Sequence, residues 1–77
     1  MSEEQIRELV ATSDMIVNGY AFNRLGGNVR VVNLNTGGAV VLLSDGTVSE
    51  ASMDDIELGI VQDYYRRNSK FLVVADA

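Results

Sequence analysis

The densest group of chemically reactive side chains is a set of four carboxylates, Glu50, Asp54, Asp55 and Glu57. Paired carboxylates can act as general acid and base, or hold a divalent cation. These acids, however, fall at the start of a predicted helix, where the helix dipole favours negative charge for structural reasons alone. We therefore predict no catalytic residue and no metal site in this group.

The composition removes most other catalytic chemistry. The chain of 77 residues has no histidine and no cysteine, so it lacks the commonest general base and any thiolate nucleophile or Cys-based zinc site. Its serine and threonine hydroxyls have no imidazole to activate them. We predict that the chain is not an enzyme and that it uses no cofactor.

The glycines do not form a phosphate-binding loop. Gly26-Gly27 and Gly37-Gly38 are not followed by predicted helices, and no dinucleotide or Walker pattern occurs. Ser44-Asp45-Gly46 places an acid before a glycine as a calcium loop does, but the preceding ligand positions fall on Val41 and Leu43, which have no side-chain oxygen. These glycines are predicted to make turns.

The stretch with the composition of a recognition surface is Tyr64-Tyr65-Arg66-Arg67, because tyrosine and arginine are enriched among interface hot spots. Neighbours in a helix point about 100° apart, so one tyrosine is predicted to be core and the other a rim residue. Residues 71–74 are too apolar for a free tail and are predicted to form a short strand or to dock on a neighbour. The candidate interface is Tyr64, Tyr65, Arg66, Arg67, Phe71 and Val73.

The net charge of −5 argues against nucleic-acid binding, since it repels phosphate backbones. A platform on which bases stack could be formed by two aromatic residues, Tyr20 and Phe22, with Arg24 and Arg30. Alternation along the strand, however, puts both aromatic rings on one face, where aromatic side chains more commonly pack in the core. No apolar run approaches the roughly 20 residues that span a bilayer. The acidic N-terminus is unlike a signal peptide. We expect a cytoplasmic protein that binds no nucleic acid and no membrane and resembles many short bacterial proteins in size and composition.

Turning to the elements that position these residues, the N-terminal segment Ser2 to Gln5 carries a capping box. Apolar residues then recur at helical spacing, which predicts a helix over about 3–17, ended by Asn18-Gly19. An alternative stays open, because Asn-Gly is also a strong hairpin signal. A helix that ends within 12–14 would make residues 15–17 part of a strand.

The middle of the chain predicts an antiparallel meander of about four strands, at 20–25, 28–35, 39–44 and 47–51, joined by glycine-containing turns. A second helix is predicted over about 53–67. Ser52 would cap it, and its apolar face would hold one stripe (Met53, Ile56, Ile60 and Tyr64), with Val61 and Tyr65 beside it. The predicted class is α+β, in one domain of residues 1–77.

The two inner strands are apolar on both faces, because Val29 and Val31 alternate with Val32 and Leu34, and residues 39–43 are apolar throughout. Either each helix covers one face, or part of one face is an interface for a second copy or another protein. We expect a non-catalytic interaction or regulatory module, with a homodimer as the favoured form.

The alternative function is an acidic inhibitor that mimics nucleic acid toward a basic protein. Such mimicry needs carboxylates aligned on one face. The acids Glu3, Glu4, Glu8, Asp54 and Asp55 lie instead near predicted helix starts, which weakens this hypothesis.

Overall fold

The computed structural model describes the backbone of residues 2–76 and the side chains of residues 2–69. Neighbouring strands pair antiparallel in chain order, so the described part of the sheet is a five-stranded meander. The α+β class is confirmed, with five strands where about four were predicted. The elements are α1 Glu3–Thr12, β1 Met15–Val17, β2 Tyr20–Leu25, β3 Asn28–Asn33, β4 Ala39–Leu42, β5 Val48–Ala51 and α2 Asp55–Asp76.

Helix α1 begins as predicted, with the Ser2–Gln5 capping box formed in both directions. It ends at Thr12, so the predicted helix over 3–17 is wrong and the alternative is right. Residues 15–17 pair with β2 through a tight turn in which Asn18 has φ 48° and Gly19 has φ 82°. Two positive φ angles are what a type I′ hairpin needs, and Asn-Gly tolerates both. Met15 and Val17 also pack against the core. This packing would be lost if the helix continued to residue 17.

Strand β3 ends at Asn33, two residues earlier than predicted. The Asn33 side chain stops it, because its Oδ1 accepts the backbone N–H groups of Asn35 at 2.8 Å and Thr36 at 3.2 Å. Such a side chain replaces strand partners with a turn. The predicted strands 39–44 and 47–51 are likewise trimmed, to Ala39–Leu42 and Val48–Ala51.

Helix α2 differs from its prediction at both ends. Asp54 caps it, accepting the Glu57 N–H at 2.8 Å, whereas the predicted cap Ser52 binds the backbone of Ala39. The predicted end at residue 67 and the predicted strand at 71–74 are wrong, because α2 continues to Asp76. No glycine or proline follows Gly59 within the helix, so nothing in the sequence breaks it.

The main core lies between α2 and one face of the sheet. Phe22, Val31 and Val40 stand directly opposite one another on β2, β3 and β4, and all three are buried. The apolar face of α2 is rotated toward the side predicted for Val61 and Tyr65: these two residues are buried, while Ile56 is 79% exposed and Ile60 43% exposed. The core cluster is Phe22, Val29, Val31, Val40, Leu42, Met53, Val61 and Tyr65.

Helix α1 lies on the other face of the sheet. Ala21 and Val32, which alternate with the core residues of β2 and β3, are buried there. No residue of α1 is itself buried, and only Ile6 and Leu9 among its apolar side chains are half-buried. Each helix therefore covers one face, but α1 covers its face incompletely.

Candidate interaction site

Four of the six predicted interface residues have side chains that the structure describes, and all four lie on α2. Tyr65 is buried, Tyr64 is half-buried, and Arg66 and Arg67 are exposed. Phe71 and Val73 belong to the backbone of α2, but their side chains lie outside the described residues.

The two tyrosines have different surroundings. The Tyr65 ring is in the core, and its hydroxyl donates to the Ser44 carbonyl at 2.8 Å. The Tyr64 hydroxyl accepts a hydrogen bond from Asn18 Nδ2 at 3.2 Å, and its ring lies 5.8 Å from the ring of Tyr20. Tyr65 thus holds α2 on the sheet, which leaves it unavailable to a partner, whereas Tyr64 keeps an exposed flank.

A polar network ties the first turn of α2 to the sheet. Glu57 Oε2 accepts the Tyr20 hydroxyl at 2.8 Å and the Asn33 amide at 2.7 Å. Asn33 is buried, and its side-chain oxygen Oδ1 accepts the backbone N–H of Asn35 in the following turn. Because these bonds are directional, they set the rotation of α2 about its axis. That rotation directs Glu57 inward and Ile56 outward.

The network predicts an unusual titration of Tyr20. Burial, then the hydrogen bond to Glu57 and its negative charge, raise the pKa of Tyr20 from 10.0 to about 12. The pKa of Tyr20 is higher in the folded than in the unfolded state. The protonated hydroxyl therefore contributes stability below pH 10, and this contribution is lost as the pH rises toward 12. The tyrosinate absorbance gained near pH 12 should be smaller in Tyr20→Phe than in the wild type. A Tyr20→Phe protein that keeps the full wild-type gain would contradict the assignment.

The side of α2 that points away from the sheet carries an apolar patch. Ile56 and Ile60 lie one turn apart there, and Gly59 between them has open space where a Cβ would stand. One turn further on, Asp63 and Arg67 form an exposed ion pair at 3.0 Å. We call this surface, made of Ile56, Gly59, Ile60, Asp63 and Arg67, the outer face of α2.

Charge is distributed unevenly along the same helix. Asp54 and Asp55 are exposed at its start, and Arg66 and Arg67 are exposed after the apolar patch. Asp54 and Arg66 are each six residues from Ile60, so an acidic and a basic segment flank the patch at equal distances along the axis.

Sequence reasoning centred the apolar face of this helix on Ile56 and Ile60, with Val61 and Tyr65 at its side, and so missed the outer face. The sequence holds a second helical stripe, Leu58, Val61 and Tyr65, at the same spacing. Choosing between two stripes depends on polar groups, because Tyr65 and Glu57 have hydrogen-bond partners only when the second stripe faces the sheet. Glu57 within the helix was the available signal.

Within the described part of the chain, no three acidic side chains come close enough together to hold a metal ion. Among those residues there is also no helix with the length and apolarity needed to cross a membrane.

Residues 3–72 match the model of a family described as a family of unknown function (DUF7723). The match covers most of the chain, which therefore belongs to that family. No curated protein and no solved structure matches the chain.

Proposed function

For this member of DUF7723, we propose a non-catalytic interaction module that forms a homodimer through the outer face of α2. The observation that supports this most directly is the exposure of Ile56 and Ile60 on a helix whose other side is packed on the sheet. Covering an isoleucine side chain fully is worth about 1.5–3 kcal/mol. A second molecule that covers both therefore gains appreciable free energy.

Charge complementarity supports another copy of the chain as that second molecule. If two α2 helices pack antiparallel about a two-fold axis near Ile60, the Asp54-Asp55 segment of each meets the Arg66-Arg67 segment of the other. The symmetry makes this contact twice. The opposed helix dipoles add to the attraction, since each acidic start then lies beside a C-terminal half. Parallel packing would instead place like charges together.

The shape of the outer face suits a helix partner. Gly59 lets a facing backbone approach closely, because it has no side chain to hold the helices apart. The 22 residues of α2 span about 33 Å at about 1.5 Å per residue, close to the molecule's longest extent of 31 Å. The described apolar patch is small beside the roughly 800 Å² per partner of a standard interface. We therefore propose a dimer that dissociates on dilution.

We also propose that this module works in the cytoplasm. The chain has no cysteine and a net charge of −5. The first property suits a reducing compartment and the second favours solubility.

A charge swap tests the antiparallel arrangement. Arg66→Asp places like charges together at both ends of the symmetric contact, so the dimer should dissociate about tenfold more readily. Adding Asp55→Arg restores opposite charges and should recover most of the affinity. Sedimentation velocity over a dilution series measures both effects.

The matched control is Arg7→Asp, because Arg7 is exposed on α1 and forms an ion pair within that helix, with Glu3. It makes the same change of charge away from the outer face and should leave association unchanged. If Arg66→Asp and the double variant associate equally weakly, the two segments do not face each other.

A further inference from the structure

A row of four residues crosses the sheet on the face opposite α2. Asn23 on β2 stands opposite Arg30 on β3, Arg30 opposite Val41 on β4, and Val41 opposite Glu50 on β5. The row places an amide, a guanidinium, an apolar side chain and a carboxylate at successive strand spacings of about 4.8 Å. It lies beside α1 on this face.

Two polar atoms of this row are buried and lack a hydrogen-bond partner among the described residues. Within the described residues, Arg30 Nε and Asn23 Oδ1 are both shielded from solvent and have no hydrogen-bond partner. Arg30 also forms no ion pair there, although Glu50 is on its row, with Val41 between them. Buried polar groups are normally paired, yet the half-buried guanidinium of Arg30 lacks a carboxylate partner among the described residues.

Arg30 lines two clefts at this place. One, of about 270 Å³, is bounded by Arg30 and Glu50 and floored by Ala39 and Val41. The other, of about 480 Å³, lies toward α1, where Glu8 and Leu9 contribute to its wall. The first cleft combines a cation, a carboxylate and an apolar floor on strands that pair with one another. Its volume suits a molecule smaller than a typical drug.

We propose that this first cleft binds a free α-amino acid with an aliphatic side chain. The carboxylate of the ligand accepts hydrogen bonds from the terminal Nη groups of the Arg30 guanidinium, in the forked geometry that arginine offers. The ammonium group donates to Glu50, and the aliphatic side chain packs on Val41 and Ala39.

The presence of both charge signs selects the zwitterion. A simple carboxylate would satisfy Arg30 but bring its charge close to Glu50, and a simple amine would leave Arg30 unmatched. The cleft is on the sheet face away from α2, so this binding does not depend on the proposed dimer. Either can fail without the other.

The test is an NMR titration of the full chain with three matched probes: L-leucine, 4-methylpentanoate, which lacks the ammonium group, and 3-methylbutylamine, which lacks the carboxylate. We expect L-leucine to shift the backbone amides of residues 30, 41 and 50. Each half-probe should bind about tenfold more weakly, because it loses a charge-assisted hydrogen bond.

Two variants assign the roles within the site. Arg30→Gln should weaken L-leucine about tenfold and remove the preference for L-leucine over 3-methylbutylamine, whereas Glu50→Gln should remove the preference over 4-methylpentanoate. Arg7→Gln is the matched control and should bind like the wild type. The proposal is overturned if L-leucine shifts no amide in the row, or if Arg30→Gln binds it unchanged. In either case water alone would solvate the Arg30 guanidinium in the cleft.

Discussion

Replacing Val31 with aspartate is expected to unfold the domain. Val31 has no exposed surface and stands between Phe22 and Val40 at the centre of the core. An ionised carboxylate there has no partner, and burying it costs several kcal/mol even after the structure relaxes. At about 0.05–0.15 kcal/mol per residue, a chain of 77 residues has only roughly 4–12 kcal/mol of stability. Far-ultraviolet circular dichroism and thermal denaturation measure the loss.

The control for this change is Leu25→Asp, which introduces the same charge in the same sheet. Leu25 is exposed at the end of β2, so its carboxylate stays hydrated and the change should alter stability by about 0.5 kcal/mol or less. A Val31→Asp protein that melts like Leu25→Asp would show that β3 is not the centre of the core.

Replacing Ile56 and Ile60 together with glutamine should abolish self-association while leaving the monomer folded. The two-fold symmetry removes four isoleucine side chains from the interface. At about 1 kcal/mol or more for each, the dimer should dissociate at least about a thousandfold more readily. Both residues are exposed in the single chain, and glutamine is a good helix former, so the free energy of unfolding of the monomer should change little. Sedimentation equilibrium together with circular dichroism separates the two effects.

Val10→Gln is the matched control for the isoleucine pair. Val10 is 45% exposed on α1, close to the exposure of Ile60, and lies outside the outer face of α2. It should leave the association constant unchanged. If the double variant associates as strongly as Val10→Gln, the outer face of α2 is not the dimer interface.

The antiparallel meander could be predicted because each hairpin has a local signal. Asp-Gly and paired glycines separate short apolar runs, and in the structure each of them lies in a connection between two strands. The capping box at Ser2 is equally local. The hairpin at Asn18-Gly19 was ambiguous, since the same dipeptide ends helices and joins strands. Pairing with β2, which is a tertiary contact, decides between them.

The rotation of α2 could not be predicted from its apolar pattern, because two stripes fit the helical period. Hydrogen bonds from distant residues select one of them: Tyr20 and Asn33 hold Glu57, and Ser44 holds Tyr65. The same limit applies to the row through Arg30. Its four residues come from four strands, and only the strand register brings them together.

The measurement that tests the central claim most directly is the solution mass of the wild-type chain by light scattering, over a dilution series at low and high salt. We predict twice the 8.4 kDa of one chain at high concentration, falling toward 8.4 kDa on dilution. Added salt should weaken the dimer only modestly, because buried isoleucines rather than rim charges supply most of its free energy. A mass of 8.4 kDa at every concentration and salt would contradict the proposed homodimer.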